Sequence, residues 1–107
     1  MVFKNIDMVT FLNNIAKIQR KKLPVKVSYA LALNYKKLNE IATTYNEEVN
    51  KLDPEKDKEA VLELLNTEVM VNIQKVKISE FEKIEANSKY DVLTPDDFAL
   101  IWFMIDD

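Results

Sequence analysis

The side chains best placed to do chemistry are four carboxylates near one end of the sequence, Asp96, Asp97, Asp106 and Asp107. Brought together, they would coordinate a hard cation such as Mg²⁺, which takes oxygen ligands. Neither pair comes with further oxygen ligands at a recognisable spacing. Asp96 and Asp97 fall in the first turn of a helix, where the helix dipole favours negative charge, and Asp106 and Asp107 read as a solvated tail. No metal site is expected, and no cofactor is implied.

A second group is basic: Lys17, Arg20, Lys21, Lys22 and Lys26. Phosphate contacts would need such a cluster. The sequence pI near 5.0 and the lack of basic residues interleaved with aromatics count against nucleic acid as the partner. The plainer reading is a solvated corner that faces the acidic half of the chain. Tyr29, Tyr35 and Tyr45 suggest a stacking surface, but Tyr35 and Tyr45 belong to an apolar stripe and read as core tyrosines. Lys26, Ser28 and Tyr29 could be assembled into a nucleophile site, yet no base or oxyanion feature supports one.

Three absences exclude more. The chain has no His, no Cys and no Gly. It therefore lacks the usual neutral-pH base and commonest metal ligand, any thiol nucleophile, disulfide or thiolate site, and any glycine-rich phosphate loop or dinucleotide fingerprint. An enzyme is not the expected reading.

The positioning elements follow from periodicity. In residues 24–52, Leu31, Tyr35, Leu38, Ala42, Tyr45, Val49 and Leu52 alternate steps of four and three, with Val27 and Ile41 on the flank. That spacing puts them on one stripe of a single coiled-coil-like helix, about 40 Å long at 1.5 Å per residue. Lys36, Lys37, Asn39, Glu40, Asn46, Glu47 and Asn50 fill the polar side. Before it, Met8, Phe11, Leu12, Ile15 and Ile18 predict a helix over residues 7–20 with Asp7 as N-cap. Leu23-Pro24 is the hinge, and the second helix starts at Pro24 or at Ser28. The short connection makes the two helices an antiparallel hairpin.

Asp53-Pro54 ends the long helix and starts another over residues 54–66. Val69, Val71 and Ile73 then alternate with polar neighbours, which predicts a strand over residues 68–78 with a bulge or kink near Gln74-Lys75. Its partner is residues 1–5 or the same strand of a second subunit. Ser79 to Glu82 has capping-box form, predicting a turn of helix to Ile84. Thr94-Pro95-Asp96-Asp97 is a helix start, after which Phe98, Ile101, Trp102 and Ile105 share a face while Leu100, Phe103 and Met104 lie off it. The fold predicted is α+β, mainly α: a helical hairpin with a long central helix, one main strand and a C-terminal helix.

At 107 residues the chain reads as one domain, and 48% hydrophobic with 31% charged residues is ordinary for a globular protein. Net charge is −3, but it is uneven. Residues 1–51 carry nine Lys or Arg against four acids, and residues 52–107 carry six Lys against fourteen acids. Attraction between the halves within one fold or dimer is the plain reading, and an acidic docking face the sharper one. No targeting segment or membrane span is expected, and a cytoplasmic location follows.

Three segments together resemble a known group: Leu23-Pro24-Val25-Lys26-Val27-Ser28-Tyr29, then Glu63-Leu64-Leu65-Asn66-Thr67-Glu68-Val69 running into Val71-Asn72-Ile73-Gln74-Lys75-Val76, then Leu93-Thr94-Pro95-Asp96-Asp97 ahead of Phe103-Met104-Ile105-Asp106. The chain resembles short proteins encoded in phages and prophages of low-GC Gram-positive bacteria. That group has no assigned activity, so no functional residue carries over, and the loop after Leu52 departs from its pattern. The resemblance implies a small effector that binds a host or anti-phage defence protein, or a minor component of the virion. Non-enzymatic protein binding is thus the expected function. A homodimer is also expected, because one short domain has limited core for seven apolar helix residues and a lone strand edge invites pairing. The interface candidates are Phe98, Leu100, Ile101, Trp102, Phe103, Met104, Val69, Val71 and Ile73.

Overall fold

The long helix forms as the apolar stripe requires. In the computed structural model, which describes residues 1–106, α3 runs over Val25–Val49 and buries Val27, Leu31, Leu38 and Ala42, with Tyr35, Tyr45 and Val49 half-buried along the same side. Pro24 sits at its N-cap with extended backbone, which fixes where the helix begins. The molecule is elongated, 53 × 22 × 20 Å, because α3 is its axis.

The chain order is β1 (Val2–Lys4), α1 (Asn5–Asn14), α2 (Ala16–Gln19), α3, α4 (Lys58–Asn66), β2 (Glu68–Met70), β3 (Val76–Lys77), α5 (Ile78–Ala86), α6 (Pro95–Ile101), a 3-10 turn (Trp102–Met104) and β4 (Ile105–Asp106). The architecture is α+β, mainly α. Two small sheets flank the helices: β1 pairs antiparallel with β2, setting Phe3 opposite Val69, and β3 pairs parallel with β4, setting Val76 opposite Ile105. The strand at the start of the chain is thus the partner of β2 within its own chain.

Four predicted elements differ from what forms, each for a local reason. The first helix is not continuous over residues 7–20 but bends at Ile15. Thr10 Oγ1 donates to the Ile6 carbonyl at 2.8 Å and Asn14 Nδ2 to the Thr10 carbonyl at 2.7 Å. Such side-chain bonds load the carbonyls of the helix ladder and bend it. Asp7 is not the cap: it lies inside α1, and its carboxylate accepts from the Lys4 N–H at 3.3 Å.

The helix predicted from residue 54 starts only at Lys58. Asp53 Oδ1 accepts from the Glu55 and Lys56 N–H groups, and Asp57 Oδ2 accepts from the Asp53 N–H, so residues 53–57 close into a turn of their own. The strand predicted over residues 68–78 is two short strands separated by irregular backbone. In that gap the Lys37 ammonium donates to the Asn72 carbonyl and Asn34 takes both backbone groups of Gln74. The kink expected near Gln74 is therefore a break made by α3.

The last helix ends at Ile101 and tightens into a 3-10 turn before β4. Three residues per turn instead of 3.6 rotates the faces. Met104 swings fully into the core, and Trp102, expected to share a face with Phe98 and Ile101, is left 61% exposed. The Phe103 ring packs edge-on against Phe3 and Phe11, with centroids 5.1 and 5.3 Å away.

Leu38 is fully buried mid-stripe while Lys36 is exposed. Leu38→Ala should cost about 2–5 kcal/mol through lost burial and a cavity, and Lys36→Ala less than about 0.5 kcal/mol, both read by chemical denaturation. Equal small effects would mean that the stripe faces no core.

Candidate functional site

A concave surface lies beside the first half of α3. Asn34 is fully buried and bonds both backbone groups of Gln74: its Nδ2 donates to the carbonyl at 2.9 Å, and its Oδ1 accepts from the N–H at 2.8 Å. This clasp, with Lys37 on the Asn72 carbonyl at 2.7 Å, holds the segment between the strands along α3. Lys26, Ala30, Leu33 and Lys37 follow one row of the helix at steps of four, three and four. Between that row, the segment 74–77 and the first turn of α5 runs a groove of about 510 Å³. Ala30, Leu33 and Val76 line it, and Val25 and Tyr29 stand at its side with 80% and 57% of their surfaces exposed.

Lysines dominate its polar edge: Lys26, Lys75 and Lys77 against one acid, Glu80. Glu80 is already engaged, 2.8 Å from Lys83 and 3.7 Å from Lys26. The hydrogen bond from Lys83 holds its carboxyl below the usual range, outweighing partial burial, and Lys26 adds to this. Asp106 stands beside Lys77 in the β3–β4 register and offsets that lysine. The first turn of α3 carries no acid and its cap makes no side-chain bond, so the positive end of the helix dipole is left uncompensated there. Serine, histidine and cysteine are absent from the lining.

Among the described residues no three His, Cys, Asp or Glu side chains are arranged to hold a metal ion, and Asp107 lies outside the described residues. Asp97 is instead structural and only 1% exposed. It completes a reciprocal cap with Thr94: the Asp97 N–H donates to Thr94 Oγ1 at 3.1 Å, and the Thr94 N–H donates to Asp97 Oδ2 at 3.0 Å. Lys21 lies 3.1 Å and Lys17 3.5 Å from its oxygens, while Oδ1 takes no hydrogen bond. Burial pushes this carboxyl up, but the Thr94 backbone, Lys21 and the Thr94 hydroxyl outweigh it and lower its pKa to about 2. Lys17 and Lys21 of the basic corner are thus spent on the acidic half, and the Lys22 backbone adds two bonds there, its N–H donating to the Asp91 carboxylate at 2.6 Å and its carbonyl accepting from the Asp91 N–H at 2.8 Å.

The interface candidates separate. Val71, Ile101 and Met104 are buried, and Val69, Ile73, Phe98, Leu100 and Phe103 are half-buried against the core, leaving Trp102 on the surface. The two reasons for expecting self-association, surplus apolar residues after Thr94 and a strand without a partner, are largely met inside the chain. What sequence reasoning missed is the groove itself. Val25 and Tyr29 are one turn apart and off the apolar stripe, which was the available signal. Asn34, a polar residue among the inward positions of α3, was the signal for the clasp.

Comparisons with protein-family models, with curated proteins and with solved structures find nothing that matches this chain. No helix of the described residues is long and apolar enough to cross a membrane.

Because the folded pKa of Asp97 is lowered from 3.8 to about 2, its ionisation stabilises the fold above the unfolded value and that stability drains as pH falls through the folded one. Urea denaturation across about pH 5 to about pH 2 should show a steeper loss in the wild type than in Asp97→Asn, which should already be less stable at neutral pH. Parallel profiles would remove Asp97 from the account. Phe103→Asp should unfold the protein rather than yield a folded surface variant, since it places a charge against Phe3 and Phe11. A native circular dichroism spectrum and an unchanged denaturation midpoint would contradict this.

Proposed function

We propose that this protein acts by binding another protein, without catalysis, and that the groove beside α3 is the binding surface. The observation that carries the reading is a concave, largely apolar surface with two large apolar side chains, Val25 and Tyr29, exposed next to each other at its edge. Exposed apolar surface rimmed by polar groups is what protein-binding sites present. The resemblance to short phage proteins supplies the setting, with a host or anti-phage defence factor as the class of partner.

A second copy of the chain is the second reading, favoured by the outer edge of β2. Met1 and Val71 exchange backbone bonds, and the Asn5 N–H donates to the Thr67 carbonyl. The alternation of an antiparallel ladder then turns the backbone groups of Glu68 and Met70 away from β1. Met70 is 72% exposed there. Light scattering at micromolar concentration tests this, and Met70→Pro, which removes an outward N–H, should convert such a dimer to monomer.

The test of the leading reading uses immobilised wild type and Tyr29→Asp as parallel baits in lysate of a low-GC Gram-positive host, with quantitative mass spectrometry. One protein should be held by the wild type and reduced at least about tenfold by Tyr29→Asp, as for loss of an aromatic anchor. Equal recovery on both baits would reject the groove as the surface. Recovery of the protein in purified phage particles would favour a structural component instead.

A further inference from the structure

We infer that the groove beside α3 receives an acidic amphipathic helix from its partner, an inference that rests on the protein-binding reading above and specifies its chemistry. Three observations favour this occupant.

The first is charge. The first fifteen residues of α3, 25–39, carry Lys26, Lys36 and Lys37 and no acid. Lys75 and Lys77 stand across the groove from them. Against these, Glu80 is neutralised by Lys83 and Lys26, and Asp106 offsets Lys77 alone. A partner with acids beside its apolar residues would find complementary charge, and one rich in lysine would be repelled.

The second is the backbone. A partner strand adding to the segment at Gln74 would need that residue's N–H and C=O, and Asn34 already occupies both. At Gln74 the groove therefore offers side chains rather than ladder bonds, which favours a helix laid in the groove over an added strand. The third is its lining. Ala30, Leu33 and Val76 give an apolar floor beside Tyr29 and Val25, so the ligand must bring apolar side chains as well as charge. From Val25 to Leu33 this wall of the groove spans about 12 Å at 1.5 Å per residue, room for about two turns of a partner helix. A nucleic-acid backbone, the other acidic occupant, would leave that floor unused.

The test is selection of a yeast-displayed library of random peptides, about twelve residues or three turns long, against the purified protein. Selected peptides are then measured by fluorescence anisotropy. The inference predicts peptides enriched in Asp and Glu with apolar residues three and four apart. Their affinity should fall at least about tenfold with Tyr29→Asp, fall with the double variant Lys75→Gln/Lys77→Gln, and weaken between about 50 and about 500 mM salt. Tyr29, Lys75 and Lys77 are all exposed, and circular dichroism confirms that each variant is folded.

Peptides that need Tyr29 but carry no acidic excess would overturn this inference and leave the groove as the binding surface. Peptides indifferent to Tyr29→Asp would overturn both. Equal or tighter binding of a single-stranded oligonucleotide would overturn the helix in favour of a polyanion. A dimer that Tyr29→Asp dissociates would show that a second copy fills the groove instead.

Discussion

The pair of hydrogen bonds between Asn34 and the backbone of Gln74 is the constraint on which the rest of this structure depends. A buried amide with neither bond made would cost a few kcal/mol, and so would the two peptide groups that it serves. Made together, these bonds join the first half of the longest helix to a segment forty residues later. That junction decides why residues 71–75 are not strand, why β3 begins at Val76, and why a groove opens on one side of the join. Met104 packs against the same amide, its sulfur 3.8 Å from Nδ2, so the end of the chain is fastened at the same point.

Around that join the fold is held by two kinds of force. Apolar burial along α3 gathers Met8, Phe11, Ile18, Leu31, Leu38 and Ile101 into one core. Charge then fixes how the late elements sit on the early ones. Lys17 and Lys21 meet Asp97 and Lys26 meets Glu80, while the Asp91 carboxylate is held by the Lys22 backbone N–H. The opposite charges of the two halves are therefore used within one chain. Asp97 matters most among these, because it is the buried one and because it also caps α6. An exposed pair such as Lys51 with Glu48 adds little by comparison.

Periodicity made the long helix legible, since one stripe repeated over many turns leaves no competing placement. The start of α6 was legible as well, because Thr94, Pro95 and Asp97 each favour the same position by separate physics. What stayed hidden depended on contacts between distant residues. The break after Met70 comes from Asn34 and Lys37, and no window around the strand contains them. Trp102 parts from the face of Phe98 and Ile101 because the turn past Ile101 is tighter than the 3.6-residue period. Asp53-Pro54 was read as the start of a helix, and Asp53 does bind two N–H groups, but Asp57 reaches back and closes a turn first. The groove was not visible for the same reason: its two walls are α3 and a segment that only the clasp brings near.

The central claim is that the Asn34 clasp holds the groove wall in place, and hydrogen exchange of the Gln74 amide tests it most directly. In the wild type this amide should be protected to nearly the level of the α3 core, although its side chain is exposed. In Asn34→Ala, protection over residues 72–77 should collapse by more than an order of magnitude while Leu38 and its neighbours in α3 keep theirs. Rapid exchange of Gln74 in the wild type, or unchanged protection in the variant, would contradict the account.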